Sequence, residues 1–264
     1  MERGCDYGIV GLLLVILVFA PLATGAVRPQ DFLVIELLTA GTIGLWLVRI
    51  WISRSYRLLW PPVVWGLVVA AAYGLIRYAA APLEYVARQE CLRGLVYGCL
   101  FLVVLNQLHR KEYVRIYRLV LVFLGMGIAA YAIYQFATES AKVWHFVKPS
   151  QYLGRGSGTY ICPNHLAGFL GMVLPLGLTL VFQGREGAVM RLLVGYACLV
   201  MLAGIAVSLS RGGWLATGVA FVFWLGFTVR RRAYWLPAVL VVALVGAGGH
   251  VFLTHSIQAQ KRLN

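Results

Sequence analysis

The sequence predicts an all-α integral membrane protein, and three features predict it: composition, the length of the apolar runs and the position of the basic residues. Of 264 residues, 61% are hydrophobic and 12% are charged, with a mean hydropathy of +0.82. A soluble domain carries about 25% charged residues. The apolar residues also form long runs, which lipid-facing helices allow because their backbone groups are paired internally. Composition therefore excludes a soluble globular domain.

Nine apolar runs approach the length of about 20 residues that crosses a hydrocarbon core. Charged residues, Pro or Gly separate most of them, and the second is the weakest because it contains Glu36. We predict one polytopic membrane domain over residues 1–264. Its transmembrane helices are predicted near 8–24, 32–48, 62–80, 92–108, 119–137, 163–182, 192–207, 213–229 and 234–253.

The basic residues set the predicted orientation. The net charge is +14, with 23 Lys and Arg against 9 Asp and Glu. These cations lie mostly in short segments between predicted spans, where they fix topology and meet anionic headgroups, so nucleic acid is not a predicted partner. With the N-terminus in the cytoplasm, inner segments hold 13 Lys and Arg and outer segments hold 9. The sequence therefore favours a cytoplasmic N-terminus.

The stretch from Tyr152 to Leu178 is rich in chemical signals. Three glycines surround Arg155 and give its loop a backbone that can approach a ligand closely. Pro163 suits the first position of a helix and places Asn164 in the first turn, where unpaired N–H groups favour phosphate. Small residues recur between Ala167 and Gly171, which equally predicts close helix packing. Both interpretations, tight packing and a phosphate site, stay open on these residues alone.

A second stretch, Ser208 to Ala216, reads S-L-S-R-G-G-W-L-A and forms a short turn between two apolar runs. Arg211 lies at its centre, at the membrane rim. One interpretation is an interfacial anchor with Trp214 as its aromatic partner. The other is a fixed cation for a lipid-linked pyrophosphate, since a guanidinium bonds phosphate in a bidentate way and stays charged.

Together these stretches resemble the O-antigen ligase and polymerase family of polytopic glycosyltransferases. The likeness rests on R-G-S-G-T-Y-x-x-P-N-H-L-A-G-F-L from Arg155, on S-R-G-G-W-L-A from Ser210, and on Y-A-I-Y-Q-F from Tyr131. It covers the chain closely from Leu119 onward and the earlier spans by topology only. Three short motifs in the right order and spacing are fairly specific, although each is weak alone.

The resemblance implies a C-type, metal-independent glycosyltransferase of the bacterial inner (plasma) membrane that needs no cofactor. Its partners would be an undecaprenyl-pyrophosphate-linked glycan and an acceptor hydroxyl of lipid A–core or of another glycan, on the periplasmic face. Arginines of the family hold the pyrophosphate, which implies that role for Arg211 first and Arg155 second. With Asn164 at the helix start, these are the predicted substrate-binding residues.

The sequence departs from the family pattern in two places. Cys162-Pro163-Asn164 stands where the family commonly has N-P-N. The chain also ends about ten residues after its last predicted span, before the large periplasmic loop that carries the family's catalytic histidine. We therefore assign no catalytic residue and expect the chain alone to be inactive. His165 is interpreted as a packing residue of the first helical turn.

Two other functions are compatible with the sequence. Some relatives with this topology have been named as bicarbonate transporters, so a permease for small anions is one alternative. Internal repeats and midplane charges, which are typical of secondary transporters, are not evident here. A non-catalytic scaffold in polysaccharide assembly is the other alternative, and it makes no demand on Arg155 or Arg211.

Overall fold

A computed structural model describes residues 2–53, 56–108, 111–184 and 186–228. These residues form eight α-helices, one short 3₁₀ helix and one antiparallel two-stranded hairpin. The helices are α1 (Glu2–Leu22), α2 (Pro29–Ile52), α3 (Val63–Ala79), α4 (Glu84–Gln107), α5 (Lys111–Ala137), α6 (Pro163–Phe182), α7 (Ala188–Val207) and α8 (Arg211–Thr228). Between α5 and α6 lie β1 (Lys142–Val143), β2 (Phe146–Val147) and the 3₁₀ helix (Ser150–Tyr152).

The structure confirms an α-helical chain suited to a membrane. Eight of the nine predicted spans coincide with α1–α8, and the ninth, at 234–253, lies outside the described residues. Six of the described helices are long and apolar enough to cross a membrane, namely α1, α2, α4, α5, α6 and α7. The chain is therefore an α-helical membrane protein. The count of nine spans, the C-type bundle and the cytoplasmic N-terminus stay predictions.

Several helices begin earlier than the apolar runs predicted. α4 begins at Glu84, where the run predicted 92, and α5 begins at Lys111, where the run predicted 119. Hydropathy marks only the part of a helix that meets hydrocarbon, whereas backbone hydrogen bonding continues into the polar headgroup layer. Glu84 and Glu112 in these first turns also complement the positive end of the helix dipole.

The chain divides into two compact units. Unit 1 contains the described residues up to Ala20 and those from Ala26 to Tyr117. Unit 2 contains Pro21–Gly25, at the end of α1, and the described residues from Arg118 onward. The prediction of one polytopic domain stays a prediction.

Unit 1 has two separate apolar clusters, both built on α1 and α4. The Tyr117 hydroxyl donates to Val10 O at 2.9 Å and ties the start of α5 to α1. Asp6 is buried and forms an ion pair with Arg49 of α2. α3 buries only Val64 and exposes most of its apolar side chains.

The described residues of unit 2 form one continuous apolar cluster, built on α5, α6 and α7. α6 packs along both α7 and α8. The helices approach closely at small residues, since a Cβ added at Gly204 of α7 would lie 2.7 Å from Ala129 Cβ of α5. The Trp224 indole donates to Thr179 Oγ1 at 3.0 Å and joins α8 to α6. This core supports the polar loop between α5 and α6.

Candidate functional site

The polar segments of unit 2 meet at one end of its helices. Residues 138–162 connect the end of α5 to the start of α6, and Ser208–Ser210 connect the end of α7 to the start of α8. Gly156 N donates to Val207 O at 2.9 Å, which joins the two connections directly. We call this region the loop end of unit 2.

Arg155 is the central side chain of the loop end and is only 6% exposed. Its Nε donates to Ser208 O at 2.7 Å, and its Nη2 donates to Asn164 Oδ1 at 2.9 Å. One guanidinium therefore joins the α5–α6 loop, the first turn of α6 and the turn before α8. The predicted substrate-binding residues Arg155 and Asn164 are direct partners, and Asn164 remains exposed.

Two glycines let this loop lie against the helices. A Cβ added at Gly156 would lie 2.6 Å from Ala132 O, and one at Gly158 would lie 2.9 Å from Ile128 O. Gly158 also has a φ of +58°, which L side chains rarely adopt. The sequence predicts that these glycines let the loop approach a ligand closely. In the structure they let the loop pack closely on α5.

Gln135 and Lys148 hold the α5–α6 loop through hydrogen bonds to its backbone. Gln135, 1% exposed, accepts Ser157 N on Oε1 at 3.1 Å and donates from Nε2 to Gly158 O at 3.0 Å. Lys148 Nζ lies 3.4 Å from Gln135 Oε1 and donates to Arg155 O at 2.9 Å. Burial lowers the pKa of Lys148 to about 8. Sequence reasoning missed both residues, although a buried amide in the apolar α5 was an available signal.

The buried charge at the loop end is entirely positive. In the described part of unit 2, the buried charged side chains are Lys148 and Arg155, and no carboxylate is buried there. Buried charge is costly, and it favours groups of opposite charge nearby. The loop end is therefore suited to an anion.

Arg211 is the first residue of α8 and is exposed. It follows Ser208, which accepts the Arg155 guanidinium, by three residues. Ser210 caps the helix, because its Oγ accepts Gly213 N at 3.1 Å. The Trp214 indole donates to Ile205 O at 3.0 Å, so Trp214 fixes this turn instead of acting only as an aromatic anchor.

The small residues of α6 pack against α8. A Cβ added at Gly213 would lie 2.4 Å from Ala167 Cβ, and one at Gly171 would lie 3.0 Å from Thr217 Oγ1. The packing interpretation is therefore confirmed at Ala167 and Gly171. Asn164 at the same helix start belongs to the Arg155 network, so the two interpretations apply to different residues of one helix. His165 is exposed, which corrects the expectation that it packs.

Loop-end tyrosines and cysteines show no metal-like arrangement. A hydrogen bond to Cys162 raises the pKa of Tyr152, and all five cysteines are free thiols. No group of three or more His, Cys, Asp and Glu in the described residues could hold a metal ion.

Comparison with known proteins gives no relative. No protein-family model, no curated protein and no solved structure matches the chain. Membership of the O-antigen ligase family therefore stays a prediction from the motifs around Arg155 and Arg211.

Proposed function

We propose that the chain serves a membrane glycosyltransferase of the O-antigen ligase or polymerase type, and that the loop end of unit 2 binds the pyrophosphate of an undecaprenyl-linked glycan. The glycan would pass to a hydroxyl of lipid A–core or of another glycan. The observation that carries the proposal is the Arg155 guanidinium bonded to both Ser208 O and Asn164 Oδ1. It draws the two motif segments, some 50 residues apart in the sequence, into one polar surface.

The charges at the loop end support an anionic ligand. Arg155 and Lys148 are buried without a buried carboxylate in the described part of unit 2, and the positive end of the α6 dipole lies at the same place. A pyrophosphate carries several negative charges on oxygens that accept hydrogen bonds. Such a ligand would place negative charge next to these buried cations.

Three groups have distinct roles in this proposal. Arg155 positions the segments that it joins, because its two described hydrogen bonds go to protein oxygens and little of its side chain is exposed. Asn164 Oδ1 accepts from Arg155, which fixes the amide with Nδ2 as a donor, and this nitrogen donates to no protein group in the described ranges. Arg211 is exposed and supplies the guanidinium that can contact phosphate.

The direct test is binding of undecaprenyl pyrophosphate to the purified chain in lipid nanodiscs. Arg211→Ala should weaken binding roughly 10- to 150-fold, because a charge-assisted hydrogen bond contributes about 1.5–3 kcal/mol. Arg191→Ala is the matched control. Arg191 is also an exposed arginine of unit 2, but it lies in the first turn of α7, where its guanidinium donates to Gly184 O at 2.8 Å, and not at the loop end.

Two results would contradict the proposal. One is equal binding of the lipid by the wild-type chain and by Arg211→Ala. The other is uptake of labelled bicarbonate into proteoliposomes that is unaffected by Arg211→Ala, since that result favours a transporter. Full tolerance of alanine at both Arg155 and Arg211 in polysaccharide assembly would favour a scaffold instead.

A further inference from the structure

Three aromatic rings form a row at the loop end of unit 2. Tyr131 and Tyr134 lie near the end of α5, with ring centroids 6.5 Å apart and ring planes 15° apart. Trp144, between β1 and β2, stacks on Tyr131 at 5.4 Å and 28°. Tyr134 is 60% exposed and Trp144 is 52% exposed. We call these three side chains the aromatic row.

We propose that the aromatic row binds a pyranose ring of the glycan, next to the pyrophosphate site of the proposed function, on which this inference rests. A pyranose has a face of C–H groups and a rim of hydroxyls. The negative face of an aromatic ring attracts such C–H groups, and its flat apolar surface buries them.

The backbone at Trp144 is strained, and this strained conformation holds the indole ring in the aromatic row. Its φ is +53°, in a two-residue hairpin turn where glycine is preferred. Such strain is retained where the surroundings over-determine it, commonly at ligand sites. Glycine at this position would relax the backbone. Because half of the Trp144 side chain is exposed, core packing does not account for a bulky residue there.

Both nitrogen donors of Trp144 are fixed by the protein. Its backbone N donates to the Tyr131 hydroxyl at 3.2 Å, and its Nε1 donates to Leu22 O at 3.1 Å. An interfacial anchor instead keeps its polar end in the wet headgroup layer. The indole of Trp144 therefore presents an immobile apolar face, and its polar edge is directed to protein.

The surroundings of the row favour a sugar over an acyl chain. Lys142, His145 and Glu139 are all exposed on the same short segment, so the hairpin surface lies in a polar layer. Hydrocarbon would leave these polar side chains unsolvated. A sugar needs both an apolar face and polar groups at its rim, and the hairpin supplies both.

The aromatic row and the Arg155 loop share one anchor. Gln135, the residue after Tyr134, donates from Nε2 to Lys142 O at 3.2 Å and to Gly158 O at 3.0 Å. The hairpin that carries Trp144 and the loop that carries Arg155 are thus fixed on a single amide. In a lipid-linked glycan the first sugar is bonded directly to the pyrophosphate, which matches this adjacency.

The experiment compares two lipids in nanodiscs, bare undecaprenyl pyrophosphate and the same lipid carrying one N-acetylglucosamine. The wild-type chain should bind the sugar-bearing lipid more tightly. Trp144→Gly should reduce that preference roughly three- to tenfold and leave bare-lipid binding unchanged, because glycine accepts the turn geometry. Trp144→Phe, which keeps an aromatic face, should retain most of the preference.

Each outcome decides the proposal. Equal losses for both lipids in Trp144→Gly, or no loss for either, would overturn the sugar site. In a third outcome, the wild-type chain binds free chitobiose, Trp144→Gly abolishes that binding, and neither lipid binds. This result would sustain the aromatic row and overturn the pyrophosphate site. Binding of bare lipid with no preference for the sugar would do the reverse.

Discussion

Unit 1 places its buried acid, Asp6, against a base, Arg49, whereas the described part of unit 2 buries two bases and no acid. The first arrangement compensates itself and needs no ligand. The second brings two buried cations to one end of the helices, which suits the anion of the proposed function. This difference in buried charge agrees with the proposed pyrophosphate site in unit 2.

The apolar interiors of the two units also differ, because that of unit 2 is more continuous. Unit 1 has two separate clusters, and α3 exposes nearly all of its side chains. Unit 2 has one continuous cluster with helices in contact at glycines. Close packing resists small displacements, so unit 2 can hold the loop end in one geometry. Substitutions in both units test this contrast.

Asp6→Ala should cost about 3–5 kcal/mol of unfolding free energy, because it leaves a largely buried guanidinium without its carboxylate. Arg49 Nη1 has no hydrogen-bond partner in the described residues. Glu90→Ala is the control, since the Glu90–Arg93 pair of the same unit is exposed at Glu90 and should contribute less than about 1 kcal/mol. Denaturant titration in detergent micelles measures both. Similar small losses would mean that the Asp6 pair does not stabilise unit 1.

Gly213→Ala should destabilise unit 2 by about 1–3 kcal/mol, because the new methyl group would overlap Ala167 Cβ on a neighbouring helix. Gly218→Ala in the same helix is the matched control. A Cβ at Gly218 meets nothing within 4 Å, so this change should be neutral or slightly stabilising. Thermal unfolding of the two variants under one condition compares them. If both behave alike, close α6–α8 packing is not what stabilises unit 2.

Lys148→Met should remove a pH dependence of stability. Burial lowers the pKa of Lys148 from 10.5 to about 8, so between these values the unfolded chain binds more protons than the folded chain. Unfolding free energy should therefore rise with pH in that window, by at most about 1.4 kcal/mol per pH unit, and be flat with respect to this group below about pH 8. Melting curves from pH 7 to 10 measure the difference between wild type and variant. Parallel curves would contradict the burial of the Lys148 charge.

Ser210→Ala should cost about 1 kcal/mol, since it removes the cap that accepts Gly213 N. Ser210→Gly should cost only a few tenths, which separates the cap from local backbone effects. α6 has no side-chain cap at Cys162, so Cys162→Ala should show no capping loss and only the loss of its hydrogen bond with Tyr152. If Ser210→Ala binds the lipid more weakly than its loss of stability explains, the cap also positions Arg211.

The helices were predictable because apolar runs of sufficient length have few alternatives in lipid. The pair of Arg155 with Asn164 was partly predictable, since the motif placed both near one helix start. The remainder depends on tertiary contacts. The amide of Gln135 within an apolar span was a local signal, but its partners Ser157 and Gly158 follow only from the fold. The strain at Trp144 exists only once the hairpin has formed. Residues 229–264 lie outside the described ranges, so the ninth span stays a prediction.

The end of α1 has a consequence for the order of folding. Thr159 Oγ1 donates to Pro21 O across 138 residues of sequence, and Trp144 Nε1 donates to Leu22 O across 122. The last carbonyls of a helix have no partner within it, so these two oxygens must wait for protein donors that are synthesised much later. At roughly 5–20 residues per second, that delay is on the order of ten seconds. These two hydrogen bonds at the end of α1 can therefore form only after the loop between α5 and α6 has been synthesised.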